Sequence, residues 1–179
     1  MCLMRIIGGE FRSRKLKSVP GTMVRPTPDR LRESLFSVLM PRISGVVFLD
    51  AYAGSGAVGL EALSRGAARV ILMEKQAHAL SVIRENVESL GVGDRVTVLR
   101  GAATSLIPKY ECQIAFVDPP YEQAGEYQGA MNALAATGCQ LVIAQHAVRF
   151  SMAEAYGPLK RVRVLRQGDN ELSFFDRPA

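Results

Sequence analysis

Residues 46–144 predict a mostly parallel α/β sheet, and three observations carry that prediction. Short apolar segments alternate with helical ones, a glycine-rich turn follows the first apolar strand, and after residue 144 the alternation gives way to two strand-like segments joined by a tight turn.

The elements follow in order. Residues 4–7, the pair Gly8-Gly9 and a basic run to Val19 suggest a strand pair or extended arm. Thr27 then reads as an N-cap with Pro28 in the first helical position, and Leu31, Leu35, Val38 and Leu39 share one face of a helix that Pro41 stops. Residues 46–50 form a short strand, 56–65 a helix, 70–74 a strand, 77–90 a helix ended by Gly91, and 96–99 a strand. Residues 114–117 give a fourth strand, 127–136 a helix and 140–144 a fifth strand. Segments 161–166 and 172–176, joined by Gln167-Gly168-Asp169-Asn170, close the chain as an antiparallel hairpin.

At 179 residues and 48% hydrophobic content, the chain has the size of about one domain and ample material for a core. No apolar run approaches the ~18 residues of a membrane span, and the first ten residues lack a signal peptide's apolar stretch. The expectation is a soluble, cytoplasmic protein. Cys2, Cys112 and Cys139 are odd in number and lack metal-ligand spacing, so reduced thiols and no metal are expected. His78 and His146 have no evident catalytic partners.

Charge is unevenly placed. Residues 1–34 hold eight basic groups against three acidic ones, which alone matches the net +5 of the whole chain. Residues 35–148 hold eight basic and ten acidic groups, and residues 149–179 six and four. Basic ends around a slightly acidic middle point to a polyanionic partner; an ordinary solvated face is the bland alternative.

Gly54-Ser55-Gly56-Ala57-Val58-Gly59 matches the G-x-G-x-x-G dinucleotide fingerprint, which alone is weak. In a dinucleotide-binding unit the strand runs straight into the first glycine, so that a helix N-terminus receives the pyrophosphate. Here Ala51-Tyr52-Ala53 intervene and the strand ends in Asp50. A carboxylate there repels a pyrophosphate and suits a cationic amino-acid moiety such as that of S-adenosylmethionine (SAM). Glu74 ends the next strand, placed to accept ribose hydroxyls, a feature that fits NAD as well as SAM.

Asp118-Pro119-Pro120-Tyr121 follows the fourth strand. Two prolines fix two φ angles and remove two donors, leaving a stiff, acceptor-rich loop. The Asp118 carboxylate and Pro119 carbonyl can hold the two N–H groups of a nucleobase amine. The delocalised lone pair then turns toward a methyl donor, and the carboxylate stabilises the charge that develops on nitrogen. Tyr121 can stack on an unstacked base.

These residues resemble the SAM-dependent amino-methyltransferases. Met4 to Gly9, Arg14-Lys15-Leu16, Arg25 to Glu33 and Gly59 to Arg65 further resemble the bacterial RsmD family. The resemblance implies a Rossmann-like class I methyltransferase fold: a seven-stranded, mostly parallel sheet with a C-terminal antiparallel hairpin and a small N-terminal β extension. It implies methylation of the exocyclic N2 of a single guanine, guanine 966, in 16S rRNA, with S-adenosyl-L-homocysteine as product. Residues 1–40 would be an RNA-engaging arm plus helix, and 41–179 the catalytic domain. SAM contacts are expected at Asp50, Tyr52, Gly54, Gly56, Glu74 and Lys75. Base handling falls to Asp118, Pro119, Pro120 and Tyr121, and RNA engagement to Arg5, Arg12, Arg14, Lys15, Arg25, Thr27, Arg30 and Arg32. Where such enzymes carry Asp or Asn beside the adenine, this chain reads Gly101-Ala102-Ala103, so the backbone N–H of Ala102 is expected to take that part. The partner implied is the small ribosomal subunit or an assembly intermediate, met by a monomer. The alternatives are an adenine-N6 DNA methyltransferase, a non-catalytic RNA-binding or assembly protein and, last, an NAD oxidoreductase.

Overall fold

The computed structural model describes residues 4–21, 27–119 and 123–179. Arg25, Pro120 and Tyr121 lie outside the described residues. The helices are α1 (Asp29–Leu39), α2 (Ala57–Ser64), α3 (Ala77–Leu90), α4 (Ala103–Leu106) and α5 (Ala124–Ala135). The strands are β1 (Val47–Asp50), β2 (Arg69–Glu74), β3 (Val96–Arg100), β4 (Ile114–Val117), β5 (Leu141–Ala147), β6 (Ala155–Tyr156), β7 (Leu159–Gln167) and β8 (Asn170–Asp176).

Among the described residues the strands form one sheet in the order β3-β2-β1-β4-β5-β8-β7-β6. Strands β1 to β5 run parallel, while β8, β7 and β6 add antiparallel. The sheet therefore has eight strands rather than seven; the extra one is the two-residue β6, which pairs only Ala155 and Tyr156 with the start of β7. The buried runs of β1, β2, β4 and β5 are apolar on both faces because helices cover both. One core lies under α1, α2, α3 and the N-terminal segment, with Phe36, Phe48, Leu60, Ile83, Phe116 and Phe174 among its members. The other lies under α4 and α5, with Leu49, Met73, Val117, Tyr127 and Phe175.

The N-terminal extension is a small hairpin with an isolated bridge, Arg5 to Lys15, where a strand pair or arm was expected. It is docked rather than free. Glu61, fully buried on α2, accepts the N–H groups of Ile7 and Gly8 at 2.8 and 2.9 Å and pairs with Arg65 at 2.8 Å. Ser64 Oγ accepts from the N–H of Phe11 and donates to the carbonyl of Gly8. Gly9, at φ 82°, lies so close to α2 that a Cβ would stand 1.9 Å from the Ser64 carbonyl oxygen, so only glycine fits the turn. Lys17 is tied in turn to Asn86 on α3, whose amide also donates to the carbonyl of Ser55 in the glycine loop.

Helix α1 begins at Asp29 with Pro28 before it and carries no side-chain cap. Thr27 does not serve as N-cap. Its hydroxyl donates instead to Gln145 Oε1 on β5, at 3.1 Å.

Candidate active site

The strand order reverses between β1 and β4: from β1 the chain steps outward through β2 and β3, then returns to the other side of β1 as β4. In open α/β sheets ligands bind beyond the carboxyl ends of the strands at such a switch point. A cavity of about 740 Å³ lies there, lined by Asp50, Gly54, Glu74, Ala102, Asp118 and Thr27 among others. The sequence-predicted cofactor residues Tyr52 and Lys75 line it too.

Asp50 is buried at 1% exposure, its Oδ1 has no hydrogen-bond partner, and the backbone amides of Tyr52 and Gly59 donate to its carboxylate. Burial pushes its pKa up to about 7, the amides pull down, and the charge of Glu74 adds to the rise. Asp118 retains some surface, yet loss of solvent and then the charge of Asp50 raise it to about 8. A cation brought between these groups would restore both carboxylates and give the orphaned Oδ1 a partner.

Glu74 holds the rim in place. Its two oxygens accept the N–H groups of Gly54, at 3.0 Å, and Gln76, at 2.9 Å. Each carboxylate oxygen has a further lone pair, so these bonds orient Glu74 while leaving it able to accept ribose hydroxyls. Gly56, expected to touch the cofactor, does not line the cavity: at φ 82° it turns the chain in the left-handed region and caps α2, with its open side against Leu72, Leu60 and Ile83, while Gly54 and Ser55 form the wall. At the third strand end, the N–H of Gly101 donates to the Glu74 carbonyl while Ala102, in extended conformation, precedes α4 as its N-cap. Tyr52 donates to Glu126 on α5 at 2.8 Å, and its hydroxyl is held far above its ordinary pKa by burial and that carboxylate.

Pro119 follows Asp118 at the end of β4. Of the basic residues expected to meet RNA, Arg5, Arg12, Arg14, Lys15 and Arg30 are exposed. Arg32 differs from that expectation: it is 1% exposed, and its Nη2 donates to the Arg5 carbonyl at 2.9 Å and to Asp29 at 2.7 Å. The guanidinium thus ties the hairpin to α1 instead of facing solvent. Glu126 and Gln145 were not singled out from sequence; Glu126 sits three residues beyond Gln123 in a helix-start segment that carried no motif. His146 is buried against Ser173 Oγ at 2.8 Å, and His78 is exposed on α3. Cys112 and Cys139, distant in sequence, are hydrogen-bonded neighbours in the α5-side core. Among the described residues no group of side chains could hold a metal, and no helix is long and apolar enough to cross a membrane.

A reversed strand order, a carboxylate-tipped first strand, a glycine loop and an acid ending the second strand define a class I SAM-dependent methyltransferase. The family described as Conserved hypothetical protein 95 matches residues 4–176. The chain belongs to it, the RsmD family whose likeness the sequence motifs already carried. Ribosomal RNA small subunit methyltransferase D of Escherichia coli K12 is 41% identical over 136 residues, which cover 75% of this chain and 68% of that protein. A solved hypothetical protein of Thermus thermophilus superposes with a TM-score of 0.82 at 32% identity, over 97% of this chain and 99% of that one. An RNA methyltransferase from Salinibacter ruber, solved in complex with S-adenosyl-L-homocysteine, shares the fold at a TM-score of 0.68 and 16% identity, covering 86% and 94% of the two chains.

Proposed function

We propose that this protein transfers a methyl group from SAM to the exocyclic N2 of one guanine in 16S rRNA, guanine 966, in a small ribosomal subunit or an intermediate of its assembly. The observation that carries the reading is the placement of Asp118 beside Asp50 at the strand switch, in one cavity with Glu74 and the glycine loop. The name of the E. coli relative supports ribosomal RNA as the substrate class.

The residues fit the cofactor: an unpaired buried carboxylate oxygen for a cation, an oriented glutamate for a ribose, and the Ala102 backbone beside the adenine position. When bound, SAM supplies a sulfonium-activated methyl carbon, and the C–S electron pair leaves with sulfur as the new N–C bond forms. Asp50 balances the amino-acid cation. Asp118 and the Pro119 carbonyl hold the two N–H groups of the guanine amine, so its lone pair points at the methyl. As charge grows on N2, the Asp118 carboxylate stabilises it and then accepts its proton. Tyr121, which follows Pro119-Pro120 in the sequence, is assigned the stacking on the base that an aromatic ring offers. Arg5, Arg12, Arg14, Lys15, Arg25 and Arg30 contact phosphates.

The deciding experiment is transfer of labelled methyl from SAM to small-subunit particles lacking the modification, followed by mapping of the modified nucleoside. Label in N2-methylguanosine at a single 16S site is the expected result. Label at adenine N6, or none on any ribosomal substrate, would overturn the reading.

A further inference from the structure

The hydroxyl of Thr27 leaves its own helix uncapped and instead reaches across 118 residues of sequence to the side chain of Gln145. Gln145 is 1% exposed, and its carbonyl accepts the Tyr127 hydroxyl at 2.6 Å, which fixes its backbone. Register places it beside the catalytic loop. Phe116 on β4 pairs with Ile143 on β5 and both point into the same core, so two residues further Asp118 and Gln145 stand together on that face. Thr27 lines the same cavity as Asp118, with Pro28 and Phe116.

A hydroxyl has one proton. With that proton committed to Gln145 Oε1, Thr27 Oγ1 can offer the cavity only lone pairs. Asp118 and Thr27 line one cavity, so in the proposed reaction the base meets the Asp118 carboxylate and Thr27 Oγ1, together with the Pro119 carbonyl assigned to its amine. Guanine presents a matching run of donors, the two N2–H groups and the adjacent N1–H. A purine that keeps the 2-amine but has a bare N1 would set lone pair against lone pair.

We infer that Thr27, polarised by Gln145, accepts the N1–H of the target guanine and is the residue that separates guanine from other 2-aminopurines. The inference rests on the proposed guanine-N2 activity. The proline loop reads only the amine; the Thr27–Gln145 pair reads the atom beside it. Gln145 is a positioning residue, since it acts through Thr27.

The test uses reconstituted small-subunit particles carrying either guanosine or 2,6-diaminopurine riboside at the target position, both of which have the 2-amine. Wild type should favour guanine by tenfold to a hundredfold in kcat/KM, the scale for a buried polar group facing no partner. Thr27→Ser, which keeps the hydroxyl, should retain the preference. Thr27→Val and Gln145→Leu should reduce it to within about threefold, with SAM affinity as the check that each variant is folded. A Thr27→Val enzyme with the full wild-type preference, or a wild type that does not discriminate, would overturn the inference while leaving guanine-N2 methylation standing. A wild type that puts no methyl on guanine N2 would overturn the underlying function first.

Discussion

Asp50 ends β1 and Asp118 directly follows the adjacent parallel strand β4, where burial and then the charge of Asp50 raise the pKa of Asp118. The two acids cannot both ionise cheaply side by side, which poises the cavity for a cation.

The first consequence is a proton released on cofactor binding. With Asp50 near pH 7 and Asp118 near pH 8, the empty folded protein holds protons that the unfolded chain has lost. The stability linked to them is complete below about pH 4 and is lost as pH rises through 7 and 8. A bound sulfonium and ammonium lower both pKa values, so SAM affinity should rise with pH across that window, and the thermal stabilisation SAM confers should grow from pH 6 to 8. Calorimetry at pH 7 in buffers of different ionisation enthalpy measures the released proton. Heats that do not depend on the buffer would contradict the coupling.

Asp118→Ala should still bind SAM, losing the part of the pH dependence that Asp118 carries, and should lower methyl transfer by about 100-fold or more, the scale for losing a positioned base and its charge. Asn, which keeps an acceptor, should be milder. Single-turnover rates with saturating particles read the difference, and a loss of only a few-fold in the alanine variant would show that Asp118 does not handle the amine.

Glu74→Ala should weaken SAM binding by about tenfold or more, because charge-assisted bonds of about 1.5–3 kcal/mol go with the carboxylate. It also frees the N–H groups of Gly54 and Gln76, so Glu74→Gln, whose one amide oxygen still accepts from one of the two, should cost less. Titration calorimetry separates the two. Equal losses would assign the whole effect to cofactor contact and none to the support of the rim.

Neutralising Arg12, Arg14 and Lys15 together should weaken particle binding and flatten its dependence on salt, each lost phosphate contact removing roughly 0.7–0.9 from the log–log slope. SAM affinity should stay unchanged. Arg32→Ala should behave differently, lowering thermal stability through the loss of a buried guanidinium that joins α1 to the hairpin. A wild-type salt slope in the triple variant would move the grip elsewhere, with Arg161, Arg163 and Arg166 of β7 the next residues to neutralise.

The alternation of segments made the parallel sheet legible, and most boundaries fall within a few residues of those read from sequence. What stayed hidden was short or distant. Helix α4 is a single turn and β6 two residues, too brief for any period to show. The neighbourhood of Asp50 and Asp118 depends on β4 returning to the side of β1, which the order of elements in the chain does not dictate. Thr27 had every local mark of a cap, and Gln145 outcompeted its own helix for the hydroxyl. Arg32 counted as surface charge until α1 turned it inward; the Asp29 three residues before it was the one local sign.

The clamp of Glu61, Ser64 and Asn86 on the hairpin has a consequence for how the proposed RNA contact is made. A basic tail of the same composition would have to be ordered at the moment of encounter, and would mould itself to almost any phosphate chain. Here the ordering is complete once the protein has folded, and the exposed Arg12, Arg14 and Lys15 stand on a scaffold of set shape. In the proposed contact such a surface would act as a gauge, accepting RNA whose phosphates already lie at matching intervals and turning away RNA that has yet to fold.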